Sequence, residues 1–150
     1  MPELKARLRA DLNTAMKARD ELTTATIRMA LTAVTNEEVA GKAARELSDD
    51  EVLRVLTREA KKRREAAEAF AAANRHELAE RERAEGKVLD RYLPAQLDDD
   101  ELTALVTAAI AESGAASLRD MGAVMKLVQP KVAGRADGKR VSDEVRQRLG

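Results

Sequence analysis

The chain has no cysteine and no tryptophan, and only one histidine, one tyrosine and one phenylalanine among its 150 residues. Without cysteine there are no disulfides, no thiolate-bound zinc and no cysteine nucleophile. His76 stands alone, which argues against a multi-histidine metal site and leaves a Ser-His-Asp triad without a spare base. With Phe70 and Tyr92 the only aromatics, stacking on nucleobases is nearly absent as a means of recognition. Long apolar runs are missing too. The longest, residues 69–73, is far too short to cross a bilayer, and residues 1–20 carry Glu3, Lys5, Arg7, Arg9 and Asp11 among their apolar positions, unlike a signal peptide. A soluble cytoplasmic protein, not a membrane protein, is the expectation. Nor is there a net charge, since 27 Lys and Arg balance 27 Asp and Glu. Attraction to a polyanion must then come from local segregation of charge.

What is present is helix-forming. Alanine, leucine, arginine and glutamate dominate, and the core must be built from aliphatic residues. Leu4, Leu8, Leu12 and Met16 recur at helical spacing, as do Ile27, Ala30, Leu31 and Val34, with a charged patch at Arg19-Asp20-Glu21 between them. Ser48-Asp49-Asp50-Glu51 is a capping box that predicts a third helix with Val52, Leu56, Ala60, Ala67 and Phe70 on or near one side. Asn74 interrupts or kinks it. The next segment runs to Tyr92-Leu93-Pro94 and is apolar mainly at Leu78, Val88, Leu89, Tyr92 and Leu93. Its middle reads as solvated or hinge-like.

Pro94 marks a boundary. After it, Asp98-Asp99-Asp100-Glu101 opens a helix with Leu102, Leu105, Val106, Ala109 and Ile110, closed by Gly114. Ser117 and Asp120 cap the next, with Leu118, Met121, Met125 and Val128 as its apolar face and Pro130 as its stop. Val141, Val145 and Leu149 form a last short helix. The reading is all-α: a long-helix region over residues 1–93, then a compact three-helix module over 95–150.

Lys126, Lys131, Arg135, Lys139 and Arg140 fall within one short segment against a single acid, Asp137. Gly134 and Gly138 allow positive φ or close approach of the backbone to a ligand, and the turn feeds a helix N-terminus. Together these suit a phosphate backbone. A solvated loop with ordinary turn glycines shows the same features. A second basic run, Arg58, Lys61, Lys62, Arg63 and Arg64, wraps around its helix, with Glu59, Glu65 and Glu68 at salt-bridge spacing, and reads as a solvated face. His76 reads as a cap or surface residue. The acids at 98–101 do not converge on one point, and Met121 with Met125 reads as core.

The run Met121-Gly122 with Val124-Met125, then Pro130-Lys131-Val132 and Gly134-Arg135-Ala136-Asp137-Gly138, resembles the GatB/YqeY family. So do Arg28-Met29, Leu56, Glu59, Arg63, Phe70, Asn74-Arg75, Glu85, Tyr92-Leu93-Pro94 and Gln96-Leu97 upstream. The match spans essentially the whole chain in the stand-alone form of that family. The resemblance implies an N-terminal helical region followed by a module like the tail of the B subunit of the tRNA-dependent amidotransferase, a tail that contributes to tRNA recognition. The catalytic body of that enzyme has no counterpart here. There is no Walker pattern, no strand-rich segment to cradle ATP and no Ser-Ser-Lys core.

The expectation is a tRNA- or structured-RNA-binding module acting through Lys126, Lys131, Arg135, Lys139 and Arg140, with Gly134 and Gly138 shaping the turn. No catalytic residue, metal or cofactor is assigned. The alternatives are a protein-interaction adaptor that docks a partner or itself through its Leu and Ala faces, and a stand-alone carbon–nitrogen ligase with glutamine as amido donor. The last lacks a convergent acid, base and nucleophile.

Overall fold

A computed structural model describes residues 2–150. The described residues form seven α-helices and one 3-10 turn, with no strand. No helix among them is long and apolar enough to cross a membrane. The chain divides between Leu93 and Pro94 into two compact units, each with its own apolar core.

The first unit holds α1 (Glu3–Lys17), α2 (Glu21–Glu38), α3 (Asp49–Ala72) and α4 (His76–Asp90). Leu8, Ile27, Val34, Val52, Leu56 and Leu89 are sealed in its core. Removing one such leucine side chain beyond Cβ costs about 2–5 kcal/mol, because the cavity only partly collapses. Met16 was expected on the inner face of α1 but is 47% exposed, and Ala15 is buried instead. A four-residue spacing drifts roughly 40° per step around a helix, so by Met16 the stripe has rotated away from Leu8. The charged patch at residues 19–21 is a turn. Arg19 takes a left-handed φ of 58°, and the Asp20 carboxylate accepts from the Thr23 amide at 3.1 Å, capping α2.

Polar ties close the unit. The nearly buried Lys5 ammonium donates to both oxygens of Glu38 at 2.9 Å. Glu38 also accepts from the Leu47 amide at 3.2 Å, and so anchors the loop between α2 and α3. The Lys5 hydrogen bond holds the Glu38 carboxyl below its ordinary value. The capping box at Ser48 forms: Ser48 N donates to Glu51 Oε1 at 3.2 Å and Glu51 N to Ser48 Oγ at 3.3 Å. The Arg45 guanidinium forks the same carboxylate and, with the Ser48 amide, pulls it down to about 2.

Asn74, at φ 61°, ends α3, and its Oδ1 lies 2.7 Å from His76 Nε2, so the histidine sits at a surface turn. The middle of α4 is solvated on one face, at Glu80, Arg81 and Arg83, and covered on the other. Ala79 is buried, and Arg63 reaches across from α3 to Glu82 at 3.4 Å and Glu85 at 3.5 Å. This ion pairing replaces the apolar contact expected of Leu78, which is 36% exposed. At the end of α4, the Tyr92 hydroxyl donates to the Asp11 carboxylate and Arg7 lies over its ring, 4.7 Å from the centroid. Burial first, and the Asp11 bond second, push the Tyr92 phenol well above its ordinary value.

The second unit holds α5 (Asp99–Ser113), a 3-10 turn (Leu118–Asp120), α6 (Met121–Val132) and α7 (Gly138–Leu149). Asp98 caps α5 by accepting from the Glu101 amide at 2.7 Å, and Gly114 ends it at φ 71°. Val106, Val124, Val128, Val132, Val141 and Val145 are at the centre of the core. Leu118 was expected to join them but is half exposed, because Asp120 accepts from the Ala116 and Ser117 amides and starts a 3-10 turn before α6 begins. Pro130 was expected to stop α6, yet the helix runs on to Val132. Proline in a last turn removes one amide donor, and the burial of Val128 and Val132 on one face holds the backbone helical.

Candidate nucleic-acid interface

The turn between α6 and α7 is built by the backbone. Ala133 and Gly134 both adopt left-handed conformations, with φ 49° and 77°. Only the glycine does so without steric cost. Ala133 N donates to Gln129 O at 3.0 Å and Arg135 N to Val132 O at 3.0 Å, which closes α6. Ala136 then packs into the core, and Asp137 caps α7 through the Lys139 amide at 3.4 Å. Gly138 does not shape the turn as expected. It is the first residue of α7 and its φ is not positive, since the cap belongs to Asp137.

The two arginines of the basic run do not face solvent as a pair. They hold the extended segment that precedes α5. Arg135 Nε donates to Ala95 O at 2.9 Å, and its Nη2 lies 3.6 Å from Glu101. Arg140 Nη1 donates to Leu97 O at 2.7 Å, and Nη2 to Asp99 Oδ1 at 2.9 Å. Leu97 N donates to Arg135 O at 2.8 Å. Both backbone groups of the buried Leu97 are thereby satisfied, as burial demands. Arg135 and Arg140, both in the set expected to contact RNA, are engaged within the unit, with their side chains still 37% and 33% exposed. Counting charges along the sequence could not reveal it, because their acceptors lie some forty residues upstream and two are main-chain carbonyls.

The three lysines are exposed. Lys131 Nζ pairs with Glu112 at 3.1 Å, both side chains about half exposed, an interaction worth little in water. Lys126 and Lys139 form no side-chain hydrogen bond or ion pair. The lysines do not form one stripe, since Lys126 and Lys131 are separated by roughly 140° around α6. A cavity of about 350 Å³ lies beside α7, but four carboxylates (Asp99, Asp137, Asp143, Glu144) outnumber Lys139 and Arg140 around it. A phosphate there meets net repulsion. Within this unit the exposed cations Lys126, Lys131 and Lys139 lie on the outer surface. Among the described residues no group of three or more His, Asp or Glu is arranged to hold a metal ion.

The pairing of Leu97 with Arg135 joins Gln96-Leu97 to Gly134–Gly138, two pieces distant in sequence that carry the resemblance noted above. The YqeY-like protein family matches residues 5–149. The chain belongs to this family. An uncharacterized protein of Schizosaccharomyces pombe is 36% identical over 95 residues, which cover 63% of this chain and 75% of the relative.

Proposed function

We propose that the chain is a binding module without a catalytic centre of its own, and that its ligand is tRNA or an RNA of similar shape. The observation that carries this reading is the exposed lysine set Lys126, Lys131 and Lys139 on α6 and the start of α7, two of them without an intramolecular partner. The resemblance of residues 121–138 to the tail of the amidotransferase B subunit supports it. Arg135 and Arg140 act in this reading as the frame that keeps the lysine-bearing turn in place. Contacts are to phosphates, without base readout. Three lysines neutralising three phosphates give a slope of log K against log salt of about −2 to −3.

The test is fluorescence anisotropy with total tRNA across a salt series, using the wild type and the Lys126→Glu/Lys131→Glu/Lys139→Glu variant. Binding that the triple variant retains, or that does not change with salt, refutes the proposal. The adaptor reading has no comparable support, because the exposed large hydrophobics Met16, Val39, Leu78 and Leu118 are scattered singly along the chain.

A further inference from the structure

The first unit sorts its own cations. Along α3, Arg58 pairs with Glu37 at 3.2 Å, Lys61 with Glu65 at 3.9 Å, Lys62 with Glu59 at 3.5 Å, and Arg63 with Glu82 and Glu85. Arg64 is left without a hydrogen bond or ion pair, and so are Arg83 and Lys87 on α4. These three cations line one cavity of about 220 Å³ between the helices. Its floor is open because Ala60 and Gly86 are small; an added Cβ at Gly86 meets Arg63 Cβ at an ordinary 3.7 Å. Two carboxylates, Glu82 and Asp90, share the lining; Glu82 lies 3.4 Å from Arg63, which Glu85 also shares, so the three cations of the lining exceed its carboxylates by one.

We propose that the α3–α4 groove binds a phosphate group, with Arg64, Arg83 and Lys87 as its ligating cations. Arg64, Arg83 and Lys87, none of them in an ion pair, repel one another across this groove, and an anion relieves that repulsion. Arginine presents a planar fork matched to phosphate oxygens, and Lys87 adds a point charge. The volume is below the roughly 300 Å³ at which small-molecule pockets begin, so the groove takes a phosphate and not a whole cofactor. This site lies in the first unit and does not depend on the lysines of α6 and α7. The phosphate comes either from a nucleic-acid backbone or from a small phosphorylated molecule.

The full-length chain, labelled with 15N, is titrated with inorganic phosphate, pyrophosphate and oligouridylate while backbone amide and arginine Nε resonances are followed. Shifts centred on residues 60–64 and 82–87, with affinity roughly tenfold weaker in Arg83→Gln/Lys87→Gln, are expected. Gly86→Leu fills the floor without changing charge, suits a helix interior, and is expected to abolish the shifts. Oligouridylate moving the same resonances identifies a polymer backbone as the source, and phosphate or pyrophosphate alone identifies a small ligand. Shifts spread evenly over all surface cations, shifts unchanged in both variants, or no shifts with any of the three probes overturn the proposal. Loss of tRNA binding in the α6–α7 lysine variant with these shifts intact separates this site from the one proposed above.

Discussion

Arg140→Ala separates two roles that one arginine could have. If Arg140 is chiefly a frame residue, its loss is felt in stability. Its Nη1–Leu97 O bond is 2.7 Å long and part-buried, and a charged hydrogen bond of that kind contributes about 1.5–3 kcal/mol. The Asp99 bond adds little, since that carboxylate is 97% exposed. The loss is then about 2 kcal/mol, for a unit of fewer than sixty residues a fall in midpoint of about 10 °C. Hydrogen exchange in the full-length chain reads this where it acts, at the Leu97 amide and along α7. Arg140→Lys keeps the charge but not the fork, so it is expected to lose most of the same stability. Lys139→Ala is expected to leave stability within about 0.5 kcal/mol, as an exposed side chain without a partner should. If Arg140→Ala exchanges and melts like the wild type, the framing role is wrong. If Arg140→Lys restores full stability, charge and not the fork is what matters.

Two further outcomes follow from the first unit. Arg63→Ala leaves Glu82 partly buried and without its cation, and Glu85 with Arg81 alone at 3.3 Å, which is expected to cost about 2 kcal/mol after allowance for partial exposure; Arg63→Ala/Glu82→Gln/Glu85→Gln is expected to recover most of it in thermal melts followed by circular dichroism. A triple variant no more stable than the single one refutes that account. The Glu51 carboxyl is held down from an ordinary 4.5 to about 2 by Arg45, so its contribution is complete above pH 4.5 and is lost as the pH falls towards 2. Denaturant midpoints measured across that window are expected to fall less steeply for Glu51→Gln than for the wild type, and equal slopes for the two proteins count against the Arg45–Glu51 pair.

Much of the helical order was legible because its signals are local. The capping box at Ser48, the αL stop at Gly114 and the Asn74 break each depend on residues within one turn of one another. Other elements depend on distant partners and were misread. Met16 and Leu118 have the right spacing but nothing to cover them. The centre of α4 looks polar in sequence, yet Glu82 and Glu85 face Arg63 on α3. Pro130 carries a breaker's signal that the packing of Val128 and Val132 outweighs. In the candidate interface the five cations were visible, but not their uses. The signal for Arg135 and Arg140 would have been the polar backbone flanking Leu97, whose buried carbonyl needs a donor.

By itself the sequence determined that the protein is helical, because alanine, leucine and charged helix formers leave little else to build with, and that its chemistry lacks thiols and nearly lacks imidazole and aromatic rings. It also determined the family, whose match runs over residues 5–149. Only the tertiary structure decided which charges are occupied. An ion pair is a matter of a few ångströms; Lys61–Glu65 and Lys62–Glu59 follow from helical spacing, but the partners of Lys5, Arg63, Arg135 and Arg140 are brought within reach only by the packing of elements distant in sequence. Arg140 is bound to the segment before α5. Lys126 and Lys139, on the same stretch, are not engaged. Arg64, Arg83 and Lys87 come together from two helices into one groove.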